Sequence, residues 1–300
     1  MDIQLAENVG DTGINLAYES LGDERAIPVV LIMGAGGQLI HWRMSFCLQL
    51  IARGLRVIRF DNRDSGLSTH LSDAPEPDIM AAVGGDTSSA SYTLSNMAED
   101  TIGLLDHLGI KNAHFVGASL GGAVAQTVAI EHVGRIRSLT SIMSSTGNPT
   151  VGQMAPEAMR VLGAATPKTR EEAIEQAVAA YKVMCSPGFE TDEADARQQS
   201  AEAYDRSFDP KGRLRQALAG IASGDRTAQL QSLSIPTLVI HGANDKIVDV
   251  SGGRATAGAI DGANLVAIEG MGHELPAPLW PRIVELIGDH VLCAEGALRR

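Results

Sequence analysis

The sequence predicts an α/β fold: a mostly parallel, twisted sheet covered by helices, with a helical cap inserted between two strands. Three observations carry this expectation. Short β-branched runs alternate with longer helical patterns along most of the chain, as a parallel sheet with crossover helices requires. The run Val29-Val30-Leu31-Ile32-Met33 is apolar without alternation, as in a strand buried on both faces. One long stretch, 147–231, has no strand pattern and breaks the alternation.

Taken in order, the first twenty residues alternate weakly around Thr12-Gly13, which predicts an antiparallel hairpin at the sheet edge. The 29–33 strand ends in Gly34-Ala35-Gly36-Gly37, a loop where backbone passes close to another group. A helix near 41–53 follows; His41 and Trp42 at its head are read as packing and rim. Arg56-Val57-Ile58-Arg59-Phe60 is the next strand. The polar loop after it, Asp61-Asn62-Arg63-Asp64-Ser65-Gly66-Leu67-Ser68, reads as a hydrogen-bonded support for the rim, with substrate binding as the alternative. Residues 71–92 are rich in Asp, Pro, Gly and Ser without a period, and read as a mobile loop. A helix near 94–108 leads to the strand His114-Phe115-Val116, a helix near 120–132, and the strand Ser138-Leu139-Thr140-Ser141-Ile142. Within 147–231 several helices are expected, one opened by the capping box Thr169-Arg170-Glu171-Glu172. Met154, Met159 and Met184 there suit adaptable packing around an acyl pocket. Thr237-Leu238-Val239-Ile240, a helix near 251–260, Leu265-Val266-Ala267-Ile268 and a helix near 278–291 complete the pattern, with His241 as a core histidine. Residues 1–146 and 232–300 would then form the core and 147–231 the cap, over strand ends where such sheets bind ligands.

A chain of 300 residues can bury a large core without covalent staples, and 44 % hydrophobic with 20 % charged residues is ordinary for a soluble globular protein. Cys47, Cys185 and Cys293 lie far apart, outside any C-x-x-C pattern. Neither a disulfide framework nor a zinc site is expected, and a reducing compartment is. The formal net charge is −12, with no run of lysine or arginine; such a surface repels nucleic-acid phosphates and anionic bilayers. Met1-Asp2-Ile3-Gln4 lacks the marks of a signal peptide, and no apolar run approaches the roughly 20 residues that span a bilayer. The expectation is a cytoplasmic protein acting on a small molecule, with no nucleic-acid or membrane partner; no pattern fixes its oligomeric state.

Gly117-Ala118-Ser119-Leu120-Gly121 matches G-x-S-x-G, a weak signal alone in a chain with 32 glycines. Its setting gives it force: an apolar strand precedes it and a helical pattern follows, as a nucleophile elbow requires. The glycines are needed because neighbours pack too tightly for a Cβ. The turn presents Ser119 Oγ beside a helix N-terminus, whose free N–H groups favour developing negative charge. A serine that merely caps a crossover helix is the competing reading. Asp245 and His273 weigh against that alternative. Asp245 follows Thr237-Leu238-Val239-Ile240-His241-Gly242, and His273 lies in Gly270-Met271-Gly272-His273-Glu274 just past a strand. Both sit at carboxyl ends of parallel strands, in the chain order Ser, Asp, His. A neutral imidazole would take the serine proton, while the carboxylate fixes its tautomer and stabilises the imidazolium. Asp249 is the nearest rival acid, further from the strand end. Two amides must form the oxyanion hole: Leu120, after the nucleophile, and Ala35 in the glycine loop.

No cofactor is expected. A dinucleotide fingerprint from Gly34 would need glycine where Leu39 stands, and Gly117–Gly122 lacks the Lys-Ser/Thr of a P-loop.

Together Leu31-Ile32-Met33-Gly34, the segment Phe60 to Ser68, the elbow and Gly270-Met271-Gly272-His273-Glu274-Leu275-Pro276 resemble the α/β-hydrolase branch of aclacinomycin-type methylesterases and mycobacterial esterase/lipase G-like proteins. The resemblance spans nearly the whole chain. It implies carboxylic-ester hydrolysis, with Ser119, Asp245 and His273 at the triad positions and Ala35 and Leu120 at the oxyanion positions. Many relatives open the oxyanion loop with His-Gly; this chain has Met33-Gly34, as the methylesterase branch does.

The expected function is thus a cofactor-free serine esterase of the carboxylesterase or methylesterase type, working through an acyl-enzyme on small to medium esters. The same triad serves C–C hydrolases and perhydrolases, and the fold also serves non-catalytic receptors of small ligands. Which residues bind substrate is not legible.

Overall fold

The computed structural model describes residues 3–10 and 13–298; Thr12 of the expected hairpin turn lies outside them. The chain opens with β1 (Gln4–Val9), β2 (Ile14–Leu21), β3 (Ile27–Ile32), α1 (Met44–Ala52) and β4 (Leu55–Phe60). Next come α2 (Ile79–Val83), α3 (Leu94–His107), β5 (Ala113–Ala118), α4 (Leu120–Glu131) and β6 (Ile136–Ile142). Five helices follow without a strand: α5 (Pro156–Leu162), α6 (Arg170–Met184), α7 (Glu193–Arg206), α8 (Pro210–Ala222) and α9 (Thr227–Leu230). The chain then returns to the sheet with β7 (Thr237–Gly242), α10 (Val250–Ala259), β8 (Asn264–Ile268) and α11 (Trp280–Leu298).

One sheet contains the eight strands in the order β1-β2-β4-β3-β5-β6-β7-β8. β2 is antiparallel to β1 and β4, and every pair from β4 across to β8 is parallel. At β3 the order reverses, with β4 on one side and β5 on the other. Connections leaving β3 and β5 therefore part in opposite directions, which opens a crevice beyond their carboxyl ends. Ile32 pairs with Gly117 in the parallel register, so Gly34 and Ser119 leave the sheet side by side at that crevice.

Alternation along the central strands feeds two cores. Val30, Ile32, Ile58 and Phe115 face α3 and α4, whereas Val29, Leu31, Val57 and Val116 face α1 and α11. All eight are fully buried, and each contributes about 1.5–3 kcal/mol. On α11, Ile283, Ile287 and Val291 recur at the four-residue spacing of an amphipathic helix and are buried. α4 differs, being buried without a break from Gly121 to Ala129, which accounts for its small and apolar residues. No helix among the described residues is long and apolar enough to cross a membrane.

Three local expectations are corrected. The 71–92 segment contains α2, whose N-cap Asp78 accepts a hydrogen bond from Ala81 N at 2.9 Å; five residues are too few for a helical period to register. The capping box at Thr169 is half formed. Thr169 Oγ1 accepts from Glu172 N at 3.1 Å, but Glu172 Oε2 takes the amide of Lys168 at 2.7 Å. Met159 is 61 % exposed, and short α5 buries only Ala158, so this methionine is not interior packing.

Candidate active site

Ser119 stands between β5 and α4 with φ 54° and ψ −122°. Left-handed backbone at a non-glycine residue carries strain of about 1–3 kcal/mol, and its neighbours hold it there. Its amide donates to Ile142 O at 2.9 Å, extending the β5–β6 ladder into the turn. A Cβ on Gly117 would fall 2.0 Å from Gly121 O, and one on Gly121 would fall 2.1 Å from Ile32 O. Only glycine at both positions lets strand, turn and helix close this tightly.

His273 Nε2 lies 3.0 Å from Ser119 Oγ, and His273 Nδ1 lies 2.7 Å from Asp245 Oδ2. The β7–β8 pairing brings the last two together: Gly242 pairs with Ile268, and just beyond the strands Asn244 N donates to Met271 O at 2.9 Å. The other oxygen of Asp245, Oδ1, accepts from Ile247 N and Val248 N at 2.8 and 2.9 Å. Burial alone would raise the Asp245 pKa, but hydrogen bonds from His241 and His273 hold it down to about 2. An ionised carboxylate only accepts, so Nδ1 of His273 carries the ring hydrogen and Nε2 offers its lone pair to the serine hydroxyl. In this tautomer the hydroxyl donates to Nε2, a geometry in which a proton can pass from Oγ to the ring. His241 is fully buried and its Nε2 lies 2.8 Å from Val248 O, the core position expected. Asp249, the rival acid, caps α10 by accepting from Ser251 N at 2.9 Å.

Beside Ser119 passes the loop after β3. A Cβ on Gly34 would lie 3.0 Å from Ser119 Cβ. Gly37 N donates to Gly34 O at 2.9 Å and Gly36 has φ 72°, a β-turn with Ala35 at its first corner. Leu120 is the first residue of α4, where an amide has no partner within the helix. Helix α8 covers this turn: Gln216 Oε1 accepts from Gly36 N at 2.7 Å, while Gln216 Nε2 donates to Arg63 O at 2.6 Å.

The 61–68 loop supports the site as expected, and its acids also bind the inserted helices. Asp61 accepts from Leu39 N at 2.6 Å and pairs with Arg206 of α7 at 2.6 Å. Asp64 pairs with Arg215 of α8 at 2.7 Å and accepts from Tyr92 Oη at 2.8 Å. Sequence reasoning missed Arg206, Arg215 and Gln216, whose only signal was an acid-rich loop in need of cations. Trp42 is buried against Phe46, which makes it packing. His41 is exposed, and its Nδ1 accepts from Gln38 N at 2.8 Å. Among the described residues one trio has metal-ligand spacing, Asp64, His70 and Asp209. Arg215 already pairs with both carboxylates, at 2.7 and 3.1 Å, so the trio is an ion-pair knot between loop and helix.

Fold and contacts define a class: an α/β protein with Ser119, His273 and Asp245 in hydrogen-bond contact at the carboxyl edge of a parallel sheet. The chain belongs to the alpha/beta hydrolase fold family, whose sequence profile matches residues 27–276. It is similar to the rhodomycin D methylesterase DnrP of Streptomyces peucetius, with 28 % identity over 94 % of this chain and 96 % of that protein. A 2-hydroxymuconate semialdehyde hydrolase of Pseudomonas sp. (strain CF600) is 27 % identical over 90 % of this chain and 88 % of its own. Among solved structures, the esterase RhEst1 from Rhodococcus sp. ECU1013 superposes with a TM-score of 0.74 at 25 % identity, covering 97 % of this chain and 98 % of that one.

Proposed function

We propose that this protein is a carboxylic ester hydrolase of the carboxylesterase or methylesterase type, working through an acyl-enzyme on Ser119. The observation that carries the reading is the unbroken chain from Ser119 Oγ through His273 to Asp245, beside a glycine loop at the switch point of the sheet. Ser119 Oγ attacks the ester carbonyl as its proton passes to His273 Nε2. The carbonyl oxygen, now negative, is received by the amides of Ala35 and Leu120, and one such donor is typically worth about 10²–10³ in rate. When the tetrahedral species collapses, the C–O bond to the alcohol breaks and the imidazolium gives that alcohol the proton. Water then repeats the attack on the acyl-serine, releasing acid and free enzyme. Asp245 holds the tautomer and stabilises the imidazolium in both halves. In this reading residues 147–231 form a cap over the core of 1–146 and 232–300, enclosing a small or medium ester. Similarity to a methylesterase and an esterase supports the class of bond.

An ester panel varying acyl and alcohol size, run with and without Ser119→Ala, tests the proposal. Wild type is expected to hydrolyse p-nitrophenyl butyrate, and Ser119→Ala to lose about 10⁴-fold or more in kcat; retention of most activity refutes it. Because a 2-hydroxymuconate semialdehyde hydrolase is also similar, the panel includes a dienoate ring-fission product. Turnover of that compound with none of the esters would replace ester by C–C cleavage at the same serine.

A further inference from the structure

The loop that carries His273 is held from two sides. On the sheet side, Asn244 takes part twice, through its amide to Met271 O and through Oδ1 from Gly270 N at 2.9 Å. On the other side lies the connection Met184–Gly188 between α6 and α7, within the inserted helices. His273 N donates to Met184 O at 2.8 Å and Gly188 N to Gly270 O at 2.9 Å. Gly272 N donates to Ser186 Oγ at 2.9 Å, and Ser186 N donates to Glu274 Oε1 at 2.7 Å. These four bonds join residues about 85 positions apart.

The two backbones touch with no side chain between them. A Cβ on Gly272 would fall 2.3 Å from Met184 O, and one on Gly188 would fall 2.6 Å from Gly270 Cα. Ser186 is fully buried. Burial pushes the Glu274 carboxyl up, against the bonds it receives from the Ser186 amide and hydroxyl. Ser186 thus accepts with its oxygen from one side of His273 and donates to the residue on the other.

We infer that Ser186 and Glu274 are positioning residues for the base, through which the inserted helices hold His273 in line between Ser119 and Asp245. This rests on the proposed role of His273. Its ring spans 3.0 Å to Oγ and 2.7 Å to the carboxylate, and a loop shift of about 1 Å would spoil both contacts at a cost approaching 10²-fold in rate. A cap that only encloses substrate would affect KM; one that aligns the base affects kcat.

Full-length wild type, Ser186→Ala, Glu274→Ala and Glu274→Gln are compared for fluorophosphonate labelling rate, for kcat and KM on p-nitrophenyl butyrate, and for Tm. Ser186→Ala and Glu274→Ala are expected to lower kcat and the labelling rate about tenfold, with KM within about twofold. Glu274→Gln keeps an oxygen for the Ser186 amide and is expected to stay within about twofold of wild type. Wild-type labelling rates in both alanine variants, with only Tm lowered, overturn the inference; so does a raised KM at unchanged kcat. If Ser186→Ala does not fold, Ser186→Cys, similar in size and weaker in hydrogen bonding, reads the same step, and labelling at the wild-type rate overturns it. Failure of wild type itself to label would instead sink the proposed role of Ser119 and His273.

Discussion

At Asp245 burial and hydrogen bonding oppose each other, and hydrogen bonding prevails, leaving a carboxyl that titrates near 2 instead of its ordinary 3.8. A depressed folded pKa means that ionised Asp245 stabilises the fold fully above about pH 4, and that this contribution is lost as pH falls through about 2. Urea midpoints of wild type and Asp245→Asn are therefore expected to differ by a constant amount above about pH 4 and to converge below it. A gap that persists unchanged toward pH 2 would contradict the assignment. The same variant is expected to lose about 10⁴-fold in kcat on p-nitrophenyl butyrate, because an amide can leave the imidazole in the wrong tautomer. That Ser119, Asp245 and His273 would meet at one edge was legible because each follows an apolar run that had to be a strand, with glycines close to the serine and the histidine. Ser186 and Gln216 were not. Their partners lie 86 to 180 positions away, and no local pattern marks a buried serine or glutamine as a bridge.

Among the elements, α7 and α8 are fastened to the core by charge. Arg215–Asp64 is a buried pair and Arg206–Asp61 a half-buried one, and breaking a buried pair leaves an uncompensated ion that costs about 3–5 kcal/mol. Arg215→Ala is expected to lower unfolding stability by that amount in a urea titration; a loss below about 1 kcal/mol would show that water or Tyr92 supplies what the guanidinium gives. The polar loop of residues 61–68 could be recognised from sequence as a support, since it is dense in hydrogen-bonding groups and sits at a strand end. Which arginines it would meet could not, because helices α7 and α8 present several, and only tertiary packing selects among them. The short α2 escaped for a simpler reason: one capped turn has no periodicity. At the elbow the expectation is sharper still. Gly121→Ala places a methyl carbon 2.1 Å from the Ile32 carbonyl oxygen, backbone that cannot rotate aside, so this variant is expected to lose Ser119 reactivity toward fluorophosphonate even where it folds.

For the whole molecule, the reversal of strand order at β3 opens the crevice at which the proposed site lies. Ser119 and the glycine loop flank that reversal, and β7 and β8 bring Asp245 and His273 to the same edge from the far side of β6. This much followed from apolar runs and chain order, since parallel strands place all their following loops at one edge. The reaction proposed there needs only these side chains and two amides, so ester hydrolysis is expected to survive EDTA and exhaustive dialysis unchanged; loss restored by a divalent cation would contradict a metal-free mechanism. The most direct measurement is rapid acid quench during turnover of p-nitrophenyl butyrate, followed by mass spectrometry of the proteolytic peptides. A butyryl group on the peptide containing Ser119, absent in Ser119→Ala and greatly slowed in His273→Ala, is the predicted result. Full turnover with no acyl adduct on Ser119, or an adduct on another residue, would contradict it.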